Sequence, residues 1–115
     1  MMRILLAEDN ALCRMACAEM LEASGATVTA VRDGAEAVAA CRADVFDVAL
    51  LDRYMDDVDG PAAAAMLHHI QPTMLLILLT AAPYGCIGDF DAVLPKPLRL
   101  DQLEHLLQNT ITTRP

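Results

Sequence analysis

Five short apolar runs, set apart by segments of helical character, confine this chain to very few architectures. The runs are Ile4 to Ala7, Thr27 to Val31, Asp47 to Leu51, Met74 to Leu79 and Ala92 to Leu94. Ile4 to Ala7 and Met74 to Leu79 show no polar alternation, as expected of strands buried on both faces. After the first run, Asn10 caps a helix reaching about Ser24, with Cys13, Ala16, Cys17, Met20 and Leu21 on one stripe and Gly25 as its stop. Asp33-Gly34 turns the chain into a second helix over Ala35 to about Arg42, and Pro61 opens a third extending to about His69. Thr80 to Asp91 contains Pro83, Gly85 and Gly88, so a fourth helix there is short or irregular. From Asp101, the spacing of Leu103, Leu106, Leu107 and Ile111 marks a last amphipathic helix. Strands alternating with helices at this rhythm imply right-handed crossovers and an α/β, doubly wound, five-stranded parallel sheet covered on both sides.

At 115 residues the chain accommodates one domain, expected over residues 1–111 with a polar tail at 112–115. Its hydrophobic share of 56 % is carried by Ala, Leu, Val and Met rather than aromatics, which predicts an aliphatic core and excludes a disordered polymer. The formal charge is −8 and the eight basic residues are scattered, so no direct nucleic-acid binding is expected. Met74 to Leu79 is far short of the roughly 20 residues that span a bilayer, and the N-terminus runs straight into a strand pattern. The expectation is a cytoplasmic protein without a membrane segment. Cys13, Cys17, Cys41 and Cys86 form no C-x-x-C pair and have no His at ligand spacing, which favours buried or half-buried free thiols. His68, His69 and His105 are expected on solvent-facing helix positions.

The chemistry lies at the ends of the runs. In a parallel sheet, ligands bind beyond the carboxyl ends of the strands, where neighbouring connections diverge to opposite faces. Glu8 and Asp9 follow the first run, Asp52 the third, Thr80 the fourth and Lys96 the fifth. Converging carboxylates repel unless a cation compensates, and Mg²⁺, which takes oxygen ligands and keeps several waters, suits the set. Asp9 and Asp52 are the expected direct ligands, with Glu8 acting partly through water. Glu8-Asp9-Asn10 could equally serve as a helix start, where acids are favoured whatever the function. Asp52 ends a strand with no helix cap after it, which points to a site. A carboxylate there can act as nucleophile toward phosphorus, with Lys96 and Thr80 offering an ammonium and a hydroxyl to the phosphoryl oxygens.

The fragments Ile4-Leu-Leu-Ala-Glu-Asp-Asn10, Asp52-Arg-Tyr-Met-Asp-Asp-Val-Asp-Gly60, Leu79-Thr-Ala81 and Leu94-Pro-Lys-Pro97 occur in an order that resembles the receiver domain of two-component response regulators. The resemblance covers nearly the whole chain. It implies the flavodoxin-like strand order 2-1-3-4-5 and phosphoryl transfer from the phosphohistidine of a histidine kinase onto Asp52, with Mg²⁺ required. By the same resemblance the Tyr54 main-chain carbonyl is a further metal ligand and the Lys96-Pro97 bond is cis. The implied partners are a sensor histidine kinase or phosphotransfer protein and a separate downstream protein; homodimer formation is left open.

The chain departs from the family pattern in three places. Asp56 occupies a position where receivers usually carry proline, adding charge together with Asp57 and Asp59. Val93 stands where a switch aromatic is usual, with Phe90 or Tyr84 as candidate substitutes. Thr80 and Lys96 are also closer in sequence than is usual, which shortens the fourth helix. A receiver-like binding module working without phosphorylation is therefore the alternative function. A metal-dependent phosphatase is a weaker third, since Tyr54 rather than a second acid stands two residues after the nucleophile Asp52 and there is no room for a substrate cap.

Overall fold

A computed structural model describes the backbone of residues 2–52, 60–81 and 90–113. Among these are five strands and four helices, alternating up to β4: β1 (Arg3–Ala7), α1 (Ala11–Ala23), β2 (Thr27–Val31), α2 (Gly34–Ala43), β3 (Val48–Asp52), α3 (Gly60–Ile70), β4 (Leu75–Thr80), β5 (Ala92–Pro95) and α4 (Leu100–Thr113). The strands pair in parallel in the order β2-β1-β3-β4-β5. The stretch between β4 and β5, where a short fourth helix is expected, falls largely outside the described residues.

Burial follows strand position. Central β3 and β4 are buried along their whole length, whereas β2 and β5 lie at the edges and are partly exposed. Successive side chains of a strand point to opposite faces, so the apolar runs feed two cores. Leu5, Ala7, Ala49, Leu51, Leu76 and Leu78 pack with residues of α2 and α3, including Cys41 and Leu67. Ile4, Leu6, Val48, Leu50, Ile77 and Leu79 pack on the other face with residues of α1 and α4, including Leu21, Leu103 and Leu107. This is the doubly wound arrangement.

Helix termini are specified locally. Asn10 Oδ1 accepts the Cys13 N–H at 3.0 Å, and Asp33 Oδ1 accepts the Glu36 N–H at 2.8 Å, each capping a helix start. At the end of α1, the Gly25 N–H reaches Glu22 O and the Ala26 N–H reaches Leu21 O, with Gly25 at φ 102°. That pattern is the left-handed glycine stop that satisfies the last carbonyls.

Several boundaries differ from the sequence expectation. β3 begins at Val48 rather than Asp47 and includes Asp52. Asp47 is held just outside the strand, where its Oδ2 accepts the Arg3 N–H at 2.8 Å. α4 runs to Thr113, into the stretch expected to be tail, because the last turn of a helix continues its backbone bonds without needing core contact. The thiols divide three ways: Cys41 is buried, Cys17 half-buried and Cys13 exposed, while Cys86 lies outside the described residues. Cys13 thus corrects the expectation of buried or half-buried thiols; its end of the α1 stripe faces a cavity rather than the sheet. His68, His69 and His105 are exposed, as expected. No helix among the described residues is long and apolar enough to cross a membrane.

Candidate functional site

The crevice forms where β1 and β3 lie side by side and their connections leave toward opposite faces. Ala7 is in register with Leu51, Asp52 with Leu79, and Thr80 with Pro95. The residues that close β1, β3, β4 and β5 are therefore brought to one edge. Main-chain bonds set their depth: the Glu8 N–H donates to Val31 O at 3.0 Å, and the Lys96 N–H donates to Thr80 O at 3.0 Å. The Lys96-Pro97 peptide is cis.

Glu8, Asp52 and Thr80 are 3 %, 5 % and 3 % exposed, whereas Asp9 is open to solvent. One carboxylate oxygen from each of Glu8, Asp9 and Asp52 can be chosen so that all three lie within 4.8 Å of one another. Lys96 Nζ stands 2.7 Å from Asp52 Oδ1 and 3.2 Å from Glu8 Oε2, bridging the two buried acids. Tyr54, expected to contribute a main-chain carbonyl, lies outside the described residues, as do Asp56, Asp57, Asp59 and Tyr84.

Sequence reasoning missed Arg14. Its Nη1 donates to Glu8 O at 2.9 Å and makes a longer contact to Asp9 O at 3.4 Å, tying the turn that presents the acid pair to the first turns of α1. The available signal was a lone basic residue one helical turn past Asn10, on an otherwise apolar and acidic helix. Val93 is half-buried and packs against the core shared by α2 and α3, where Phe90 is also buried.

The charges do not balance. Burial raises the pKa of Glu8, the Asp52 carboxylate raises it further, and the Lys96 ammonium opposes both without cancelling them. For Lys96, burial works against the charged form, but the hydrogen bond to Asp52 and the two acids outweigh it and hold the ammonium above the ordinary lysine value. Three carboxylates facing one ammonium leave excess negative charge on hard oxygen donors, partly out of water. This donor set fits a hard divalent cation such as Mg²⁺, which prefers carboxylates and retained waters, so the acidic cluster is compatible with a magnesium site.

Beside the crevice, between α1 and the segment after β5, is a cavity of about 400 Å³. It is lined by Glu8, Cys13, Ala16, Cys17, Met20, Leu79, Lys96, Pro97 and Leu98. Burial pushes the Cys17 thiol pKa up, and the Glu8 carboxylate adds to this.

Fold and site together define a doubly wound α/β domain with an acid-lysine pocket at its switch point. The comparisons narrow that class. Residues 4–108 match the response regulator receiver domain family. Two-component response regulator ORR42 of Oryza sativa subsp. japonica is 32 % identical over 115 residues, covering 95 % of this chain and 86 % of its own. Sensor protein TorS of Escherichia coli K12 is 33 % identical over 113 residues, covering 92 % of this chain; the match spans only 12 % of TorS. Among solved structures, the receiver domain of sensor histidine kinase PA1611 from Pseudomonas aeruginosa PAO1 superposes with a TM-score of 0.83. It shares 29 % identity, covers 97 % of this chain and 98 % of its own, and has a magnesium ion coordinated in its active site cleft. The chain belongs to the response regulator receiver domain family, a family of signalling phosphoacceptors.

Proposed function

We propose that this receiver takes a phosphoryl group onto Asp52 from the phosphohistidine of a histidine kinase or phosphotransfer protein in the cytoplasm, and that the change alters its contact with a separate downstream protein. The proposed unit is residues 1–111. An Asp52 carboxylate oxygen forms the new P–O bond while the P–N bond to the donor imidazole breaks, its electron pair returning to the ring nitrogen. The observation that carries this reading is the contact of Lys96 Nζ with Asp52 Oδ1 at 2.7 Å inside a cluster of three carboxylates.

Glu8, Asp9, Asp52 and the Tyr54 carbonyl are the residues proposed to hold Mg²⁺. When bound, the ion offsets the negative charge that accumulates as phosphorus becomes five-coordinate. Lys96, already fixed by two carboxylates, supplies a fixed positive charge to the phosphoryl oxygens, and the Thr80 hydroxyl at the end of β4 offers them a hydrogen bond. Only self-phosphorylation and self-dephosphorylation are proposed as chemistry of the chain itself. Incubation with acetyl phosphate and Mg²⁺ is expected to add one labile phosphoryl group, seen by intact mass, and Asp52→Asn to abolish it.

The second reading, a binding module working without phosphorylation, draws on Val93, which packs into the core where a switch aromatic would be expected to rotate. Absence of any adduct with small-molecule and kinase donors alike would favour it.

A further inference from the structure

We propose that Cys13, Cys17 and Met20 form a binding site for a thiophilic d¹⁰ cation of the copper(I) class, in the cavity beside the acid pocket. The three residues occur at i, i+4 and i+7 of α1, so they follow one another along a single helix face, and all three line the same cavity of about 400 Å³. Core packing does not account for the whole set: Cys17 is half-buried and packs against the core on the α1 face of the sheet, but Cys13 is exposed.

Spacing separates the chemistries open to two thiols. Side chains one helical turn apart have Cβ atoms roughly 5–6 Å from each other, whereas a disulfide needs roughly 3.5–4.5 Å. The pair therefore does not close on itself while α1 stays intact. A bridging ion, bonded to each sulfur at roughly the 2.3 Å typical of a zinc–thiolate bond, spans that separation. The ligand set then selects the ion: two thiolates and a thioether are soft donors, which favour copper(I) over hard cations. Glu8, the carboxylate lining the cavity, is already paired with Lys96 at 3.2 Å.

The remaining walls suit such an ion. Buried Leu79 and half-buried Leu98 are apolar and limit water on one side, while exposed Cys13 provides the entry side. On binding, each of the two thiols releases its proton to solvent, three S–Cu bonds form, two from thiolates and one from the neutral thioether, and copper remains in its +1 state, leaving one net negative charge on the three-sulfur site. Lys96 lines the same cavity and offsets part of that charge, against the Glu8 carboxylate, which opposes it.

The test is competition for Cu(I) between the reduced, full chain and a chromophoric chelator under anaerobic conditions, followed by ultraviolet thiolate-to-copper absorption. One equivalent per chain is expected. Cys13→Ser and Cys17→Ser should each weaken binding by roughly 100-fold or more, since losing a ligand costs more than the roughly 10–100-fold typical of an outer-sphere partner. Met20→Leu removes a neutral thioether rather than a thiolate and should weaken it less, by about tenfold, and Cys41→Ser should leave it unchanged. Circular dichroism of Cys13→Ser, altered at an exposed position, separates lost ligation from lost fold. No uptake by the wild-type chain, binding that survives Cys13→Ser or Cys17→Ser, or binding lost in Cys41→Ser would each overturn the proposal.

Discussion

Lys96 carries more of the site than any other single residue. It bridges Asp52 and Glu8 at 2.7 and 3.2 Å, and truncating it leaves two buried carboxylates facing each other. Removing one partner of a fully buried ion pair costs roughly 3–5 kcal/mol. Because the Lys96 side chain is 32 % exposed, Lys96→Ala is expected to cost about 2 kcal/mol instead, read as a lowered urea midpoint with unchanged slope. Adding Asp52→Asn should recover part of that loss, since one of the two repelling charges is gone. An additive double mutant would contradict the coupling. Legibility at this scale was uneven. Glu8, Asp52, Thr80 and Lys96 were readable because each closes an apolar run, whereas Arg14 was not, because a helix-surface cation has no positional signature until the backbone brings its guanidinium to a carbonyl.

Elements were legible where pattern and punctuation agreed. α1 was bounded by Asn10 and Gly25 in sequence, and the observed caps use both. The strand edges slipped by a residue: the main chain of Asp47 still bonds to Arg3 O and to the Leu75 N–H, but its carboxylate takes the Arg3 N–H, and the regular strand starts at Val48. Cys13 was misjudged because periodicity identifies a stripe but not what covers each end of it; near the crevice the stripe overlooks a cavity. At Gly25, φ is 102° and a Cβ would meet nothing within 4 Å, so the whole cost of Gly25→Ala is backbone strain. A loss of about 1 kcal/mol is expected from thermal melts; a neutral or stabilising effect would contradict the assignment of that turn. In α2, burial pushes the Cys41 thiol from 9.0 up to about 11. Below the unfolded value both states hold the proton and the contribution of the packed thiol is complete. As pH rises from 9.0 through about 11, the unfolded thiol ionises first and stability falls. Denaturant titrations across that range should show the decline in the wild type reduced in Cys41→Ala, and an identical pH profile would show that Cys41 is not the group responsible.

For the molecule as a whole, strand order is what turns scattered residues into a pocket. Placing β1 beside β3, with β2 and β4 outside them, makes the ends of two non-consecutive strands neighbours and sends their connections to opposite faces. The alternation of runs was enough to read a doubly wound sheet, but apolar pattern alone cannot order the strands; that came from the resemblance of the strand-end signatures. The Asp52 carboxylate, rather than the neighbouring Asp9 or Glu8, is the proposed phosphoryl acceptor. Borohydride reduction of protein treated with acetyl phosphate and Mg²⁺ converts an aspartyl phosphate to homoserine, and peptide mass mapping then locates it. The account predicts homoserine at position 52 and nowhere else; homoserine at position 9, the corresponding alcohol at position 8, or no reduced residue would contradict it.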